Sequence, residues 1–88
     1  MTVSFRKSFA RDLKKLKDAK VQDRVRAVIE AVEGADSLAD LPDAKKMSGS
    51  SGYYRVRVGS YRVGLAVEGD EVEFVRVLDR KDIYRYFP

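Results

Sequence analysis

The segment formed by residues 53–65, YYRVRVGSYRVGL, restricts the fold of this chain more than any other part of it. Alternating β-branched, aromatic and arginine residues are typical of two strands, and Gly59-Ser60 has the length and the leading glycine of a type II′ hairpin turn. In this register Arg57 lies directly opposite Arg62. The segment therefore predicts an antiparallel β-hairpin with arginines stacked on one face.

The facing arginines indicate an anion-binding surface. Like charges opposite each other destabilise a strand pair, so the arrangement is easiest to understand if a phosphate compensates for the repulsion. Arg55 lies two residues before Arg57 and shares its face. The alternative is a solvated sheet face, on which the arginines repel one another only weakly in water. The pattern alone leaves both interpretations open.

Length and composition restrict the chemistry. The chain has 88 residues, which predicts one domain (residues 1–88) with a single small core. It has neither cysteine nor histidine, which excludes disulfides, thiolate nucleophiles and the usual zinc ligand sets. We expect no cofactor and no metal, although an all-carboxylate magnesium site stays formally open. The formal net charge of +4 favours polyanionic partners.

The chain carries no pattern that predicts a membrane location. Its first residues, MTVSFRKSF, lack an apolar stretch of signal-peptide length, and no run approaches the roughly 20 apolar residues that span a bilayer. We therefore expect a cytoplasmic protein without a membrane partner.

Hydrophobic spacing predicts an α+β fold, in which an N-terminal antiparallel helix hairpin packs on one face of a small, mostly antiparallel β-sheet. Residues 2–5 form a short strand. A first helix follows with Ser8 as its N-cap, and a second ends at Gly34 as a left-handed C-cap. The apolar positions that predict the two helices are Phe9, Leu13 and Leu16, then Val21, Val25, Val28, Ile29 and Val32.

The remaining chain is predicted as a linker and a second hairpin. Residues 36–52 are irregular and include a flexible basic loop, KKMSGSSG. Strands 61–68 and 71–78 pair across Gly69-Asp70. Counting by twos assigns one apolar face to the helices: Tyr61, Val63, Leu65, Val67, Val72, Phe74 and Leu78. The other face carries Arg62, Gly64, Ala66, Val75, Val77 and Asp79, whereas Arg76 falls on the apolar side, which indicates a sheet margin or an error in the register.

The order of elements, together with KSFARDLKKL, KKMSGSSGYYRVRVGSYRVGL and FVRVLDRKDIYRYFP, resembles the RelE/ParE superfamily of type II toxin–antitoxin toxins, RelE-like branch. The resemblance covers nearly the whole chain. It implies a metal-independent, ribosome-dependent endoribonuclease that cuts messenger RNA in the ribosomal A site. The ribose 2′-OH attacks the adjacent phosphate and leaves a cyclic phosphate and a 5′-hydroxyl. The implied partners are a cognate antitoxin, the ribosome and messenger RNA, with operator DNA bound only through the antitoxin complex.

The resemblance also implies a set of catalytic residues, Arg55, Arg57, Arg62, Arg80 and Tyr84, to which strand parity adds Asp79 as a candidate. Arg57 and Arg62 hold the scissile phosphate, because forked, permanently charged guanidinium groups stabilise developing negative charge. Arg55 orients the nucleophile or carries a neighbouring phosphate. Arg80 neutralises the leaving oxygen or donates a proton through water, and Tyr84 stacks on a nucleotide.

Six lysines are candidate contacts for RNA or ribosome: Lys14, Lys15, Lys17, Lys45, Lys46 and Lys81. The alternative is that those on the first helix form an ordinary solvated face, as most runs of charge do.

Asp79 departs from the family pattern, because many members place histidine directly before the Arg-Lys-Asp run. Parity puts Asp79 on the same face as Arg62, where it is a candidate base, but a carboxylate beside arginines has a lowered pKa and is a poorer base. A weakened or inactive nuclease therefore stays open. Two alternative functions also stay open: a ParE-like inhibitor of DNA gyrase, and a member that acts through antitoxin binding and operator repression.

Overall fold

The computed structural model describes residues 1–49 and 52–88. Within them, two helices and a third, single-turn helix accompany a five-stranded sheet. This confirms the predicted α+β class, with a helix hairpin on a mostly antiparallel sheet. The elements in chain order are β1 (Thr2–Phe5), α1 (Lys7–Lys15), α2 (Ala19–Gly34), a 3-10 turn (Leu38–Asp40), β2 (Ala44–Lys46), β3 (Tyr53–Val58), β4 (Tyr61–Glu68), β5 (Glu71–Asp79) and α3 (Ile83–Tyr86).

The sheet has the strand order β1-β5-β4-β3-β2. β1 runs parallel to β5, and the other neighbours are antiparallel. The predicted hairpin is confirmed with its register, since Arg57 pairs with Arg62. Gly59 has a φ of 59°, whereas Ser60 has no positive φ, as a type II′ turn requires. The turn therefore sets which side chains of β3 and β4 share a face.

Each face of the sheet buries an apolar cluster. The helix hairpin covers the larger one, whose most enclosed members are at most 2% exposed: Phe9, Val25, Val32, Val58, Val63, Leu65, Val72, Phe74 and Val77. The opposite face carries a smaller cluster formed by Met47, Val75, Ile83 and Phe87, which α3 and its flanking residues cover. Each fully buried side chain of this kind contributes about 1.5–3 kcal/mol. The C-terminal segment is thus part of the packed structure.

Both predicted helix caps are wrong. Ser8 lies inside α1, and its hydroxyl donates to the carbonyl of Val75 at 2.6 Å instead of capping the helix. Gly34 is the last residue of α2 and has no positive φ, and the chain continues through an extended Ala35. α1 begins at Lys7 with Arg6 at the N-cap position, so Ser8 is not placed to cap the helix.

The segment predicted as an irregular linker contains a strand. β2 pairs with β3 along the sheet edge, so that Lys45 faces Arg55. Met47, which follows the strand, is 6% exposed and belongs to the smaller apolar cluster. A three-residue strand is too short to show an alternating pattern, which is why the sequence did not reveal it. Residues 50 and 51 of the predicted basic loop lie outside the described residues.

A β-bulge overturns part of the predicted face assignment. Gly64 pairs with Arg76 and Leu65 pairs with Phe74, so Val75 is an extra residue in β5. Beyond this point each side chain of β5 lies on the face opposite to the one that counting by twos gives. Val77 therefore packs against the helix hairpin and Leu78 against the smaller cluster. The same shift removes Arg76 from the apolar face, where the prediction had placed it.

A buried carboxylate completes the edge of β5. β1 pairs with β5 only as far as Phe74, and α1 lies beside the residues that follow. Asp12, 7% exposed, accepts the backbone N–H of Val77 at 3.1 Å. It also accepts two hydrogen bonds from the Arg76 guanidinium, at 2.7 and 3.1 Å, and this contact raises the pKa of Arg76. The side chain of Asp12 thus accepts a backbone N–H of β5 that a neighbouring strand would otherwise bind.

We predict that Asp12→Ala lowers the free energy of unfolding by about 3 kcal/mol, because it leaves a partly buried guanidinium and a buried N–H without their acceptor. Urea unfolding followed by circular dichroism measures the change. Asp23→Ala is the matched control, since Asp23 is exposed on α2 and its loss should cost no more than about 0.5 kcal/mol. Equal midpoints for the two variants would contradict the role given to Asp12.

Candidate active site

A strongly basic groove lies on the sheet face opposite the helix hairpin. Its cavity volume is about 540 Å³, and its lining carries six cations against one carboxylate. We call it the arginine groove, and its lining residues are Asp43, Lys45, Arg55, Arg57, Arg62, Arg80, Lys81 and Tyr84. The excess of positive charge makes it a candidate site for a polyanion.

Strand pairing brings the cations of the groove together. Lys45 faces Arg55 across β2 and β3, and Arg57 faces Arg62 across β3 and β4. Between these pairs, Arg55 lies opposite Gly64, which has no side chain. Three neighbouring strands therefore present positive charge on one face.

The turn of the hairpin orients the Arg62 side chain. Nη1 donates to the carbonyl oxygens of Gly59 and Tyr61, each at 2.9 Å. These acceptors are backbone carbonyls and not carboxylates, so no ion pair offsets the charge of the guanidinium, and its remaining N–H groups can bind an anion. A donor held in place before the ligand arrives loses little free energy to reorganisation.

Carboxylates do not neutralise the groove. Across residues 1–49 and 52–88, ion pairs join Arg6 to Glu73 and Arg76 to Asp12, and all four side chains lie outside the groove. Asp43 lines the groove but forms no ion pair there. Repulsion between the clustered cations is thus left for a ligand to relieve.

An exposed aromatic ring lies beside the cations. Tyr84 is 60% exposed, and the guanidinium carbon of Arg55 is 5.4 Å from its ring centroid, which is a cation–π contact. The preceding residue, Ile83, is fully buried and anchors the start of α3. The groove therefore combines phosphate-binding groups with a ring on which a base can stack.

Comparison with known proteins identifies the family. A family model described as "ParE toxin of type II toxin-antitoxin system, parDE" matches residues 3–84. Toxin RelE3 from Methanocaldococcus jannaschii is 47% identical over 89 residues, which covers 100% of both chains. The chain belongs to the RelE/ParE superfamily of type II toxin–antitoxin toxins.

Solved structures agree with this assignment. The RelB-RelE antitoxin-toxin complex from Methanococcus jannaschii contains a chain with a TM-score of 0.80 and 44% identity, over 96% of this chain and 98% of that chain. A chain of the archaeal RelE-RelB complex from Pyrococcus horikoshii OT3 shares the fold, with a TM-score of 0.73 at 21% identity, over 90% and 93%. The predicted superfamily and fold are both confirmed.

Most of the predicted catalytic residues lie together. The arginine groove contains Arg55, Arg57, Arg62, Arg80 and Tyr84, along with two of the lysines predicted to contact RNA, Lys45 and Lys81. The catalytic and binding roles of these residues stay predictions. The other four lysines lie elsewhere on the surface: Lys14, Lys15 and Lys17 are exposed on or just after α1, and Lys46 is exposed on β2.

Asp79 lies outside the groove lining. It pairs with Tyr61, whose ring packs on the helix-hairpin side, so the prediction that it shares the face of Arg62 is wrong. The reason is the bulge at Val75. The carboxylate of Asp79 instead accepts the backbone N–H of Lys81 at 2.9 Å and stabilises the turn before α3.

Asp43 is a lining residue that sequence reasoning missed. It precedes the unrecognised strand β2, and its carbonyl accepts the backbone N–H of Arg57 at 3.2 Å. Only a recognised edge strand at residues 44–46 would have indicated that Asp43 reaches the groove. No helix in the described part of the chain is long and apolar enough to cross a membrane.

We predict that Arg62→Ala weakens binding of a short 2′-O-methyl RNA by about tenfold or more, since a charged hydrogen-bond donor is lost. The slope of log affinity against log salt should fall by about 0.7, the value for one phosphate contact on a single strand. Fluorescence anisotropy at several salt concentrations measures both. Arg26→Ala, an exposed arginine of α2 outside the groove, is the control for net charge. An equal loss in both variants would mean that RNA does not select the groove.

Proposed function

We propose that this chain is a metal-independent, ribosome-dependent endoribonuclease, the toxin of a type II toxin–antitoxin system, which cleaves messenger RNA and so inhibits translation in the cytoplasm. The observation that carries the proposal is the arginine groove. It gathers six cations and an exposed tyrosine around one cavity, and no carboxylate of the described residues forms an ion pair with those cations. That arrangement suits the transition state of phosphodiester cleavage.

The proposed reaction begins with attack by a ribose 2′-OH on the adjacent phosphorus atom. The bond from phosphorus to the 5′-oxygen breaks, and the products are a cyclic phosphate and a 5′-hydroxyl. Negative charge gathers on the non-bridging oxygens during the attack. Arg57 and Arg62 face each other across the β3–β4 ladder and can bind these oxygens from two strands. Their forked donors match the geometry of a phosphate.

Other residues of the groove serve the leaving group and the neighbouring nucleotides. Arg80 and Lys81 follow β5 and supply positive charge for the departing 5′-oxygen, which takes up a proton through water to become the hydroxyl. Arg55 lies two residues before Arg57 on β3, and it carries a neighbouring phosphate while it holds the ring of Tyr84. Stacking of a base on Tyr84 contributes about 1–3 kcal/mol.

Asp43 is the carboxylate that we propose as the acceptor of the 2′-OH proton. A general base must come within hydrogen-bonding distance of the proton that it removes. Asp43 lines the arginine groove, whereas Asp79 is engaged with the backbone of Lys81. The absence of histidine at position 79 therefore still leaves a candidate base in the groove.

We predict that the wild-type chain cuts ribosome-bound messenger RNA in a reconstituted translation reaction and leaves free messenger RNA intact. Arg62→Ala should reduce the cleavage rate by about 10²–10³, the usual cost of removing one preorganised donor. Primer extension maps and quantifies the cuts. Arg26→Ala, outside the groove, should cut as the wild type does. Full cleavage by Arg62→Ala would contradict the proposed role of the groove.

Inhibition of DNA gyrase is the second candidate function, because the matching family model is described as a ParE toxin. A supercoiling assay with purified gyrase separates the two. Blocked supercoiling with intact translation would reverse our ranking. If translation and supercoiling both stay intact, the function is that of a non-enzymatic member that binds its antitoxin and represses its operator through the complex.

We also propose that a cognate antitoxin binds this chain. The support comes from relatives whose solved structures are toxin–antitoxin complexes, among them the RelB-RelE complex from Methanococcus jannaschii. Charge complementarity favours an acidic, partly amphipathic segment that folds on binding and covers the arginine groove.

We predict that the double charge reversal Arg57→Glu with Arg62→Glu weakens binding of the cognate antitoxin by at least about tenfold, because like charges across an interface cost several kcal/mol. Isothermal titration calorimetry at two salt concentrations measures the loss. Lys7→Glu, exposed at the start of α1, is the control at a site outside the groove. Unchanged affinity in the groove variant would place the antitoxin on another surface.

A further inference from the structure

Near the C-terminus, the side chain of Phe87 packs directly on Gly64 of β4. Phe87 is 2% exposed, and a Cβ atom added to Gly64 would lie 2.9 Å from three carbons of its ring. The φ of Gly64 is outside the left-handed region, so the backbone alone does not require glycine there. The missing side chain at position 64 is what makes room for the ring of Phe87.

Further contacts hold the ring of Phe87 in its position on Gly64. The ring of Tyr53 meets it edge-on, with centroids 5.5 Å apart and an angle of 89° between the planes. The backbone N–H of Phe87 donates to the carbonyl of Ile83 at 2.9 Å, and Ile83 is fully buried. Phe87 and the single turn of α3 therefore move together.

Tyr84 lies in that same turn, next to the contact between Gly64 and Phe87. Gly64, which holds Phe87, pairs across the ladder with Arg55, and Arg55 lies against the ring of Tyr84. One step of the β3–β4 ladder thus supports both the buried ring and the exposed ring of the C-terminal segment.

The other side of α3 is attached outside the groove. The guanidinium carbon of Arg76 is 5.9 Å from the ring centroid of Tyr86, and Arg76 is held by the buried Asp12 of α1. The turn that carries Tyr84 is therefore held at two places, by Gly64 on β4 and by Arg76 on β5.

We propose that Gly64 and Phe87 are positioning residues, whose contact holds Tyr84 over Arg55 at the edge of the arginine groove. Neither residue lines the groove. A side chain at position 64 displaces Phe87, and with it the turn, so that Tyr84 leaves Arg55. The consequence for RNA rests on the proposed nuclease function, whereas the placement of Tyr84 does not.

Nuclear magnetic resonance tests the placement without any assay of activity. In the wild type, we expect nuclear Overhauser contacts between the Arg55 Hδ protons and the Tyr84 ring, with those protons shifted by the ring current. Tyr84→Leu gives the shift without the ring. Gly64→Ala should lose the contacts and move the shift to the Tyr84→Leu value. Gly34→Ala is the matched control, because a Cβ at Gly34 meets nothing within 4 Å.

The functional part is tested on ribosome-bound messenger RNA with the same variants. Gly64→Ala should lower cleavage by about 5- to 150-fold, the range that stacking of one base allows. In the Tyr84→Leu background, Gly64→Ala should cause no further loss. A merely structural defect would instead reduce cleavage in both backgrounds.

The outcomes separate this proposal from the proposed function. A folded Gly64→Ala chain that keeps the Arg55–Tyr84 contacts overturns it. If Gly64→Ala loses the Arg55–Tyr84 contacts but cleaves RNA as the wild type does, the claim that the Gly64–Phe87 contact serves the groove is overturned. If Gly64→Ala does not fold, Phe87→Leu removes the ring without adding a Cβ, and retained contacts in that variant overturn the proposal. A wild-type chain that shows the Arg55–Tyr84 contacts but cuts no RNA contradicts the nuclease function. In that case, the contacts measured in the variants still decide whether Gly64 and Phe87 position Tyr84.

Discussion

The register of the β3–β4 ladder is the constraint on which the rest of this structure depends. The type II′ turn at Gly59 places Arg57 opposite Arg62 and turns Val58 and Val63 toward the helices. A slip by one residue would exchange the two faces, because side chains alternate along a strand. The same register thus produces the helix-covered core on one face and the charged groove on the other, and neither could be built without it.

The groove itself opposes folding, and the apolar faces of the sheet offset that cost. Six cations share one cavity without carboxylate partners among the described residues, and such clustering is destabilising in the absence of an anion. The two apolar clusters stabilise the rest of the fold, and so does the hydrogen bond that the buried carboxylate of Asp12 accepts at the edge of β5. Functional sites commonly break a local rule in this way while the surrounding fold obeys it. An anionic ligand, whether RNA or an acidic peptide segment, then binds more tightly because it relieves the repulsion between these cations.

The sequence alone was sufficient for the hairpin register, the helix hairpin and the family, because each depends on local spacing or on a motif longer than a few residues. It was insufficient where one residue changes the count. The extra Val75 in β5 reverses the faces of Val77 and Asp79, and no local pattern distinguishes such a bulge from a regular strand. The strand at residues 44–46 is stabilised by pairing with β3, a long-range contact that leaves no periodicity behind. Asp43 was missed and Asp79 misplaced for these two reasons.

The C-terminal motif shows why a residue's place in the sequence does not determine its place in a site. Tyr84 belongs to the terminal RKDIYR, in which the buried Ile83 anchors the turn, but contacts outside the motif complete its placement over Arg55. Its position follows from Phe87, which needs the missing side chain of Gly64, and from Tyr86, which needs Arg76 and therefore Asp12 of the first helix. The groove is thus assembled by contacts that span almost the whole chain. A relative that shares every groove residue but carries a larger residue at position 64 would be expected to present its tyrosine differently.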